Sequence, residues 1–398
     1  MVRGELTGEF QHHLLEHALR MDPKDKVVTR IPSPPTVLKR PIADWSWMNP
    51  GDYLVAPVVQ TSVGCPFGCS FCSVTEVFGA QMRAVCLNEL RAELEQLPKT
   101  RLIGVIDDNF LQGIQDRYIN HCIAVATLFH ELGFRWVAEV TVRTLIDAQA
   151  KLRERGSNLD LVEYFAKCGC RGFFFGIETL EENGAGLSKV KSQQDTANLI
   201  KHCHQCGLMV LGAFVLGVGE TETADHAKRI LEFAVEETKL DFAQFTINTP
   251  MPGARSFLTG IRDNTIFNFD WELYDGQHCV ARHPVMSPQE LEESHFWLYQ
   301  EFYRWRSIGT RVLPALLTPK PLTIQRGLIS LPINGALHQS SRRWKQRLLS
   351  TSGNRPIIAQ PDETVLEQVA SALQNYAKPA DLFNLKHPDG LSRPINTK

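Results

Sequence analysis

The chain has no long apolar run. Its longest, around Leu208 to Val218, falls well short of the ~20 residues that span a bilayer, and the opening stretch Met1 to His13 has no apolar signal region. Both absences predict a cytoplasmic protein with no membrane partner. An excess of either charge is missing too: 42 Lys and Arg stand against 44 Asp and Glu, for a net charge of -2. Polyanion binders carry a basic excess, so no nucleic acid partner is expected and a small organic substrate fits better. There is no solenoid-type repeat and no low-complexity tract. With 398 residues, 43% of them hydrophobic, the chain has material for one large α/β domain and a smaller appendage.

Cysteine, in contrast, is plentiful. Ten cysteines without an export signal point to a reducing compartment, where thiolates are available to metals. Three of them, Cys65, Cys69 and Cys72, lie in T-S-V-G-C-P-F-G-C-S-F-C-S-V with the spacing C-x-x-x-C-x-x-C. Gly64, Pro66 and Gly68 make this segment a loop rather than the interior of a helix or strand. A structural zinc takes four ligands, typically from two C-x-x-C knuckles. Three thiolates from one tight loop instead suit an iron–sulfur cluster, and on a cubane of four irons they leave the fourth iron open to a small molecule.

Residues 1–54 are proline-punctuated and predict an irregular lead-in with at most one short helix near His12 to Arg20. From there apolar strands alternate with amphipathic helices. The strand candidates are Val58 to Val63, Leu102 to Ile106, Trp136 to Val142, Gly172 to Ile177, Met209 to Leu216 and Phe242 to Ile247. Leu87, Leu90, Leu94 and Leu97 mark one helical stripe, and Gly133, Gly169 and Gly207 sit where helices should close. Such alternation implies parallel βαβ units with right-handed crossovers. Six units predict an α/β fold, a partial (β/α)6 TIM-type barrel over residues 55–285. Reactive residues of such barrels gather at the C-terminal strand ends. The cysteine loop follows the first strand there, Asp107, Asp108 and Asn109 the second, Arg143 the third, Gly176-Ile177-Glu178 the fourth, Gly217 to Glu220 the fifth and Asn248-Thr249-Pro250 the sixth. Consecutive acids at 107 and 108 read either as acceptors for a cationic ligand group or as a helix-capping turn. Glu178, after strongly apolar positions, should emerge at the barrel mouth, because burying it within the strand is costly.

Residues 286–398 predict a mainly helical extension: a helix from Ser287 to Trp305, a proline-rich passage to Pro332, and another helix around Arg342 to Leu349. Its basic run Arg342, Arg343, Lys345, Arg347 reads as a solvated face opposite Trp344 and Leu348. Cys168 with Cys170, and Cys203 with Cys206, read as structural cysteines, and His202 and His204 as surface residues of their helix.

The cysteine loop, with Phe71 just before its last cysteine, resembles that of the radical S-adenosylmethionine (radical SAM) superfamily. The resemblance implies a barrel of the radical SAM kind, a [4Fe-4S] cluster on Cys65, Cys69 and Cys72, and S-adenosyl-L-methionine on the open iron. It further implies reductive cleavage to a 5′-deoxyadenosyl radical that abstracts hydrogen from a small organic substrate, with an external electron donor such as flavodoxin or ferredoxin. On the same grounds Phe71, Asp108, Asn109, Glu178 and Gly217 are the cofactor-binding candidates. V-I-D-D-N-F departs from the Gly-Gly-Glu type turn by which many members hold the methionine amino group. The phrases V-Q-T-S-V-G-C-P-F-G-C-S-F-C-S-V-T-E-V-F-G, D-D-N-F, C-G-C-R-G-F-F-F-G-I-E-T and T-P-M-P-G are similar to the catalytic halves of the cobalamin-dependent branch, many of them methyltransferases or cyclases, over roughly residues 54–305. That branch normally carries a cobalamin domain ahead of the barrel. Residues before Leu54 are too few and too irregular to build one, no D-x-H-x-x-G motif occurs, and Val63 stands where an arginine is common. Two alternatives accordingly stay beside hydrogen abstraction: a methyltransferase half served by cobalamin on another chain, and a non-catalytic iron–sulfur protein.

Overall fold

The computed structural model describes residues 57–97, 102–181 and 191–352, with short pieces at Val2–Arg3, Thr29–Arg30, Val37–Leu38, Trp45 and Asn49. The apolar runs form six strands of one sheet: β1 (Val58–Val59), β2 (Leu102–Val105), β3 (Arg135–Val140), β4 (Cys170–Glu178), β5 (Met209–Leu216) and β6 (Phe242–Ile247). Every neighbouring pair is parallel, and the order across the sheet is the order along the chain. Between the strands run α1 (Leu87–Gln96), α2 (Asp116–Glu131), α3 (Val142–Glu154), α4 (Leu161–Lys167), α5 (Gln193–Gln205) and α6 (Ala224–Glu232). This is the expected α/β partial (β/α)6 barrel.

Local chemistry accounts for the helix ends. Asp160 and Ser192 accept the N–H of Glu163 and Asp195 and so cap α4 and α5. Gly169 closes α4 at φ 92°, and a Cβ there would lie 2.4 Å from the Phe134 carbonyl oxygen, so no other residue fits. The core centres on fully buried Trp136, whose Nε1 donates to the Cys168 carbonyl at 2.9 Å and whose ring meets Phe110 at 5.1 Å and Phe129 at 5.7 Å. Cys122, Cys170 and Cys203 are fully buried in the same core. Burial pushes the Cys170 thiol up to about 12, so it packs as a neutral small side chain.

The first strand departs from expectation. It stops at Val59, and Ser62–Val63 pairs antiparallel with Arg83–Val85 in a separate small sheet that Val37–Leu38 joins in parallel. The cause is Asp107 at the end of β2, which takes the N–H groups of Thr61 (2.6 Å) and Ser62 (3.0 Å), donors that a longer β1 would have used in the ladder.

The C-terminal extension departs further. Helix α7 (Pro288–Phe302) opens on a Ser287/Glu290 capping box and ends before Trp305. The proline-rich passage is helical: Pro314 lies inside α8 (Trp305–Leu316) and Pro332 inside α9 (Pro321–Ser352). Both prolines face solvent, and the opposite faces are tied to the barrel. Buried Arg311 donates to the carbonyls of Leu240, Asp241 and Phe302, Arg326 reaches both carboxylate oxygens of Asp241 at 3.1 Å, and Asn334 donates to the Asp241 carbonyl. Together these outweigh the roughly 3 kcal/mol by which a proline disfavours a helix interior.

His204 belongs to the same cluster and is not a surface residue. Its side chain is 13% exposed, with Nε2 3.2 Å from Asp241; burial keeps it neutral and lowers its pKa. His202 is the half-exposed one, held by the Asp160 carboxylate at 2.9 Å. The outer edge of β6 is covered by α7: Tyr303 Oη accepts from the Ala243 N–H and donates to its carbonyl, Tyr299 Oη accepts from the Phe245 N–H, and His295 Nε2 meets the Phe245 carbonyl at 3.0 Å. Burial depresses His295 to about 4, so it stays a neutral donor. Arg342 and Arg343 are exposed as expected. The helix sought at His12 to Arg20 and the side chains of Trp344 and Leu348 lie outside the described residues.

Candidate active site at the strand ends

The three cysteines occupy the loop that leaves β1 at its C-terminal end. Gly64 opens it at φ 98°, where a Cβ would stand 2.6 Å from the Gln81 carbonyl oxygen. The Cys65 N–H donates to the Gly79 carbonyl at 3.3 Å, Thr75 Oγ1 to the Cys65 carbonyl at 3.0 Å, and the Cys72 N–H to the Cys69 carbonyl at 3.1 Å. Cys69 is buried; Cys65, Phe71 and Cys72 are half-buried. The loop also reaches across the sheet. The Ser256 N–H, beyond β6, donates to the Ser70 carbonyl at 2.8 Å, and Arg255 Nε lies 3.7 Å from Glu76. Strands β1 and β6 do not pair, so at the mouth the cysteine loop spans the open seam of the barrel.

The acids after β2 hold this loop. Asp107, 3% exposed, accepts four hydrogen bonds: Thr61 and Ser62 N–H on Oδ1, and their hydroxyls on Oδ2 at 2.5 and 2.7 Å. Burial pushes its carboxyl up to about 6, against the pull of those donors. Asp108 Oδ2 accepts the Gly64 N–H at 2.8 Å; burial raises its pKa, while that N–H and Arg83 oppose the rise. Neither acid caps a helix, because the N-cap of α2 is Gln115. Asn109 is buried, its Oδ1 accepting the Thr141 N–H at 3.1 Å between β2 and β3, while its Nδ2 has no hydrogen-bond partner.

Glu178 ends β4 with φ 65° at 5% exposure, a left-handed backbone that costs a non-glycine residue on the order of 1 kcal/mol or more. It stands at the strand end, on the side of the barrel mouth, and is buried there; the sheet continues past it, with Glu178 paired to Phe214 after a register shift at β5. A cavity of about 470 Å³ opens beside it, lined by Gly176, Ile177, Thr179, Glu181 and Lys191 among others. Gly217, φ 73°, donates its N–H to Glu222 Oε2 at 2.6 Å, and its carbonyl accepts from Asn248 Nδ2 at 3.0 Å. Glu222 also accepts the Gly219 N–H at 2.9 Å and so shapes the whole glycine turn after β5. Sequence reading passed over Glu222, and the only signal was an acid soon after a glycine run. Arg143 lies in the first turn of α3 beside Asp147 and is half-exposed. Among the described residues no three His, Cys, Asp or Glu side chains converge on a single-ion site.

The sequence profile of the radical SAM superfamily matches residues 59–234, from β1 into the turn after α6. Over these residues the chain is similar to a radical SAM domain. Domains of this superfamily work with a [4Fe-4S] cluster and S-adenosylmethionine, and need a substrate and a reductant. Among similar proteins, an uncharacterized methyltransferase of Pyrococcus horikoshii is 31% identical over 254 residues, 62% of this chain and 51% of its own. The bacteriochlorophyllide d C-12(1)-methyltransferase of Chlorobaculum tepidum is 24% identical over 64% of this chain and 53% of its own. The radical SAM methyltransferase TsrM of Kitasatospora setae superposes with a TM-score of 0.45 at 15% identity, covering 72% of this chain and 61% of that one. The chain thus spans about half the length of the curated relatives it matches. Among the described residues no helix is long and apolar enough to cross a membrane.

Proposed function

We propose that this chain is a radical SAM enzyme in which Cys65, Cys69 and Cys72 hold the [4Fe-4S] cluster and a small organic substrate loses a hydrogen atom. One observation carries the reading: three thiols on a single loop, pinned at Gly64 by the β2 acid Asp108 and tied across the seam to Ser256, at the reactive end of the barrel. The donor set fits, since three thiols from one loop are cluster ligands, and the orphaned Asn109 Nδ2 offers a buried donor to a bound polar group. When bound, cluster and S-adenosylmethionine supply a 5′-deoxyadenosyl radical on one-electron reduction. The protein's own share is to position and to exclude water. Glu178 is assigned to the cofactor's ribose or amino group, Asn109 to its polar end, and the backbone at Gly217 and the Phe71 ring to its flanks. Asp108 acts through the Gly64 N–H as a positioning residue. A flavodoxin or ferredoxin as electron donor, and a cytoplasmic setting that keeps the thiols reduced, belong to the same proposal.

Anaerobically reduced protein should convert S-adenosylmethionine to 5′-deoxyadenosine and methionine, slowly even without substrate. A fully loaded cluster that yields none would favour the non-catalytic reading. Glu178→Ala should weaken S-adenosylmethionine binding by on the order of 1 to 3 kcal/mol, the loss of one charge-assisted contact, with iron content unchanged. Equal binding by variant and wild type would return Glu178 to a structural role.

A second reading, the catalytic half of a cobalamin-dependent methyltransferase, is supported by the relatives, whose names include bacteriochlorophyllide and hopanoid methylases. Gel filtration after incubation with hydroxocobalamin, read by visible absorbance, tests for a corrinoid site on this chain, and co-elution near one per chain favours methyl transfer. Product analysis separates the two readings when cobalamin resides on another chain: methylated substrate favours methyl transfer, and 5′-deoxyadenosine without methylation favours hydrogen abstraction.

A further inference from the structure

Between Glu301 and Asp362 the chain contains no Asp or Glu, while Lys and Arg recur ten times. In a protein of net charge -2 this is a strongly polarised segment, and it coincides with the hairpin of α8 and α9.

Helix α9 is also built inside out. Among the described residues its buried side chains are Arg326, Ser330, Asn334 and Ser341, polar because they meet the Asp241 carboxylate and nearby carbonyls. Several of its apolar residues are exposed, although Leu337 packs on the core. Leu328 is 61% exposed and Leu331, three residues on, shares its side of the helix; Leu313 and Leu317 at the neighbouring helix end are exposed too, the last at 82%. No demand of the core placed them there. Arg306, Arg342 and Arg343 are exposed on the same two helices, and Lys320 in the turn between them.

We propose that the α8–α9 hairpin lies on an anionic lipid bilayer surface, its leucines in the acyl boundary and its basic side chains among the headgroups. Outward apolar residues bordered by cations and free of acids are what interfacial helices present. A nucleic acid would meet the charge but leave the leucines exposed, and a second copy of this face would bring like charges together. The lack of a spanning run, read above as excluding a membrane partner, does not bear on a helix lying in the interface plane.

The test is co-sedimentation of the full chain with vesicles of phosphatidylcholine alone, or of phosphatidylcholine and phosphatidylglycerol in equal parts. Pelleting is expected with the anionic vesicles, little with the neutral ones. Arg342→Gln with Arg343→Gln should lower partitioning about fivefold for each charge removed. Leu317→Asp with Leu328→Asp should lower it further and, unlike the arginine effect, should persist at high salt. All four sites are exposed, so unchanged melting temperature and iron content would show intact folds. Three results would each overturn the proposal: no preference for anionic vesicles; leucine variants that pellet like wild type while an oligonucleotide displaces the protein; or a wild-type dimer that the leucine variants turn to monomer with vesicle binding unchanged.

Discussion

Replacing Cys65, Cys69 and Cys72 together by alanine should abolish iron uptake on anaerobic reconstitution, whereas the wild-type chain should take up about four irons and a matching amount of sulfide. The three thiols come from one loop whose backbone is fixed by Gly64, Gly79 and Ser256, so the variant removes every proposed cluster ligand without disturbing the frame that presents them. Cys203→Ala and Cys206→Ala should leave the iron in place. Cys203 is fully buried on the inner face of α5, and burial raises its thiol well above the ordinary value, which disfavours the thiolate that a cluster needs. Iron and sulfide assays with the visible absorption of the cluster decide the matter, and a full complement in the triple variant would sink the assignment.

Asp107→Ala should be the most damaging single substitution for stability. It deletes an acceptor for four donors; the two hydroxyls can turn elsewhere, but the Thr61 and Ser62 N–H groups are fixed by the backbone and remain buried. At roughly 1 to 3 kcal/mol for each orphaned donor, the loss should be about 3 to 5 kcal/mol by urea denaturation. Asp108→Ala, which frees the single N–H of buried Gly64, should cost less, about 1 to 3 kcal/mol. The folded pKa of Asp107 is raised from 3.8 to about 6. Its stabilising share is therefore complete below the unfolded value and shrinks as the pH rises through the folded one. The deficit of the alanine variant should accordingly be larger near pH 5 than near pH 8. A variant within about 1 kcal/mol of wild type would show that the carboxylate does not hold the cysteine loop.

Much of the barrel was legible because its determinants are local. Phe242 to Ile247 and Met209 to Leu216 are apolar runs of strand length, and β5 and β6 match them end for end; glycines and caps mark the helix ends within a residue or two. The cysteine loop was legible for the same reason, its glycines lying between the thiols. What was not legible depends on partners far along the chain. V-V-Q-T-S-V reads as one strand, and the carboxylate that interrupts it lies 46 residues away from Thr61. His204 looks like a helix-surface residue until Asp241 is placed beside it. Pro314 and Pro332 read as breaks, because nothing near them announces that Arg311, Arg326 and Asn334 anchor their helices from the other side. Nor does the run F-F-F-G-I-E announce that Glu178 takes a left-handed backbone at the strand end.

During synthesis each strand would emerge next to a neighbour already made, since sheet order follows chain order. The last strand is different. The Asp241 carboxylate at its foot awaits Arg326, 85 residues later, and its outer edge awaits Tyr299 and Tyr303 from a helix not yet translated. Until then the carboxylate has only the Val210 N–H and His204 beside it and lacks its cation, whose absence from a buried site costs several kcal/mol, so a nascent chain halted after β6 would hold that strand loosely, with an unpaired edge open to a chaperone or to the same edge of another nascent chain. The barrel is laid down from its N-terminal side but locked from its C-terminal side, and that interval on the ribosome is when the protein is most prone to aggregate.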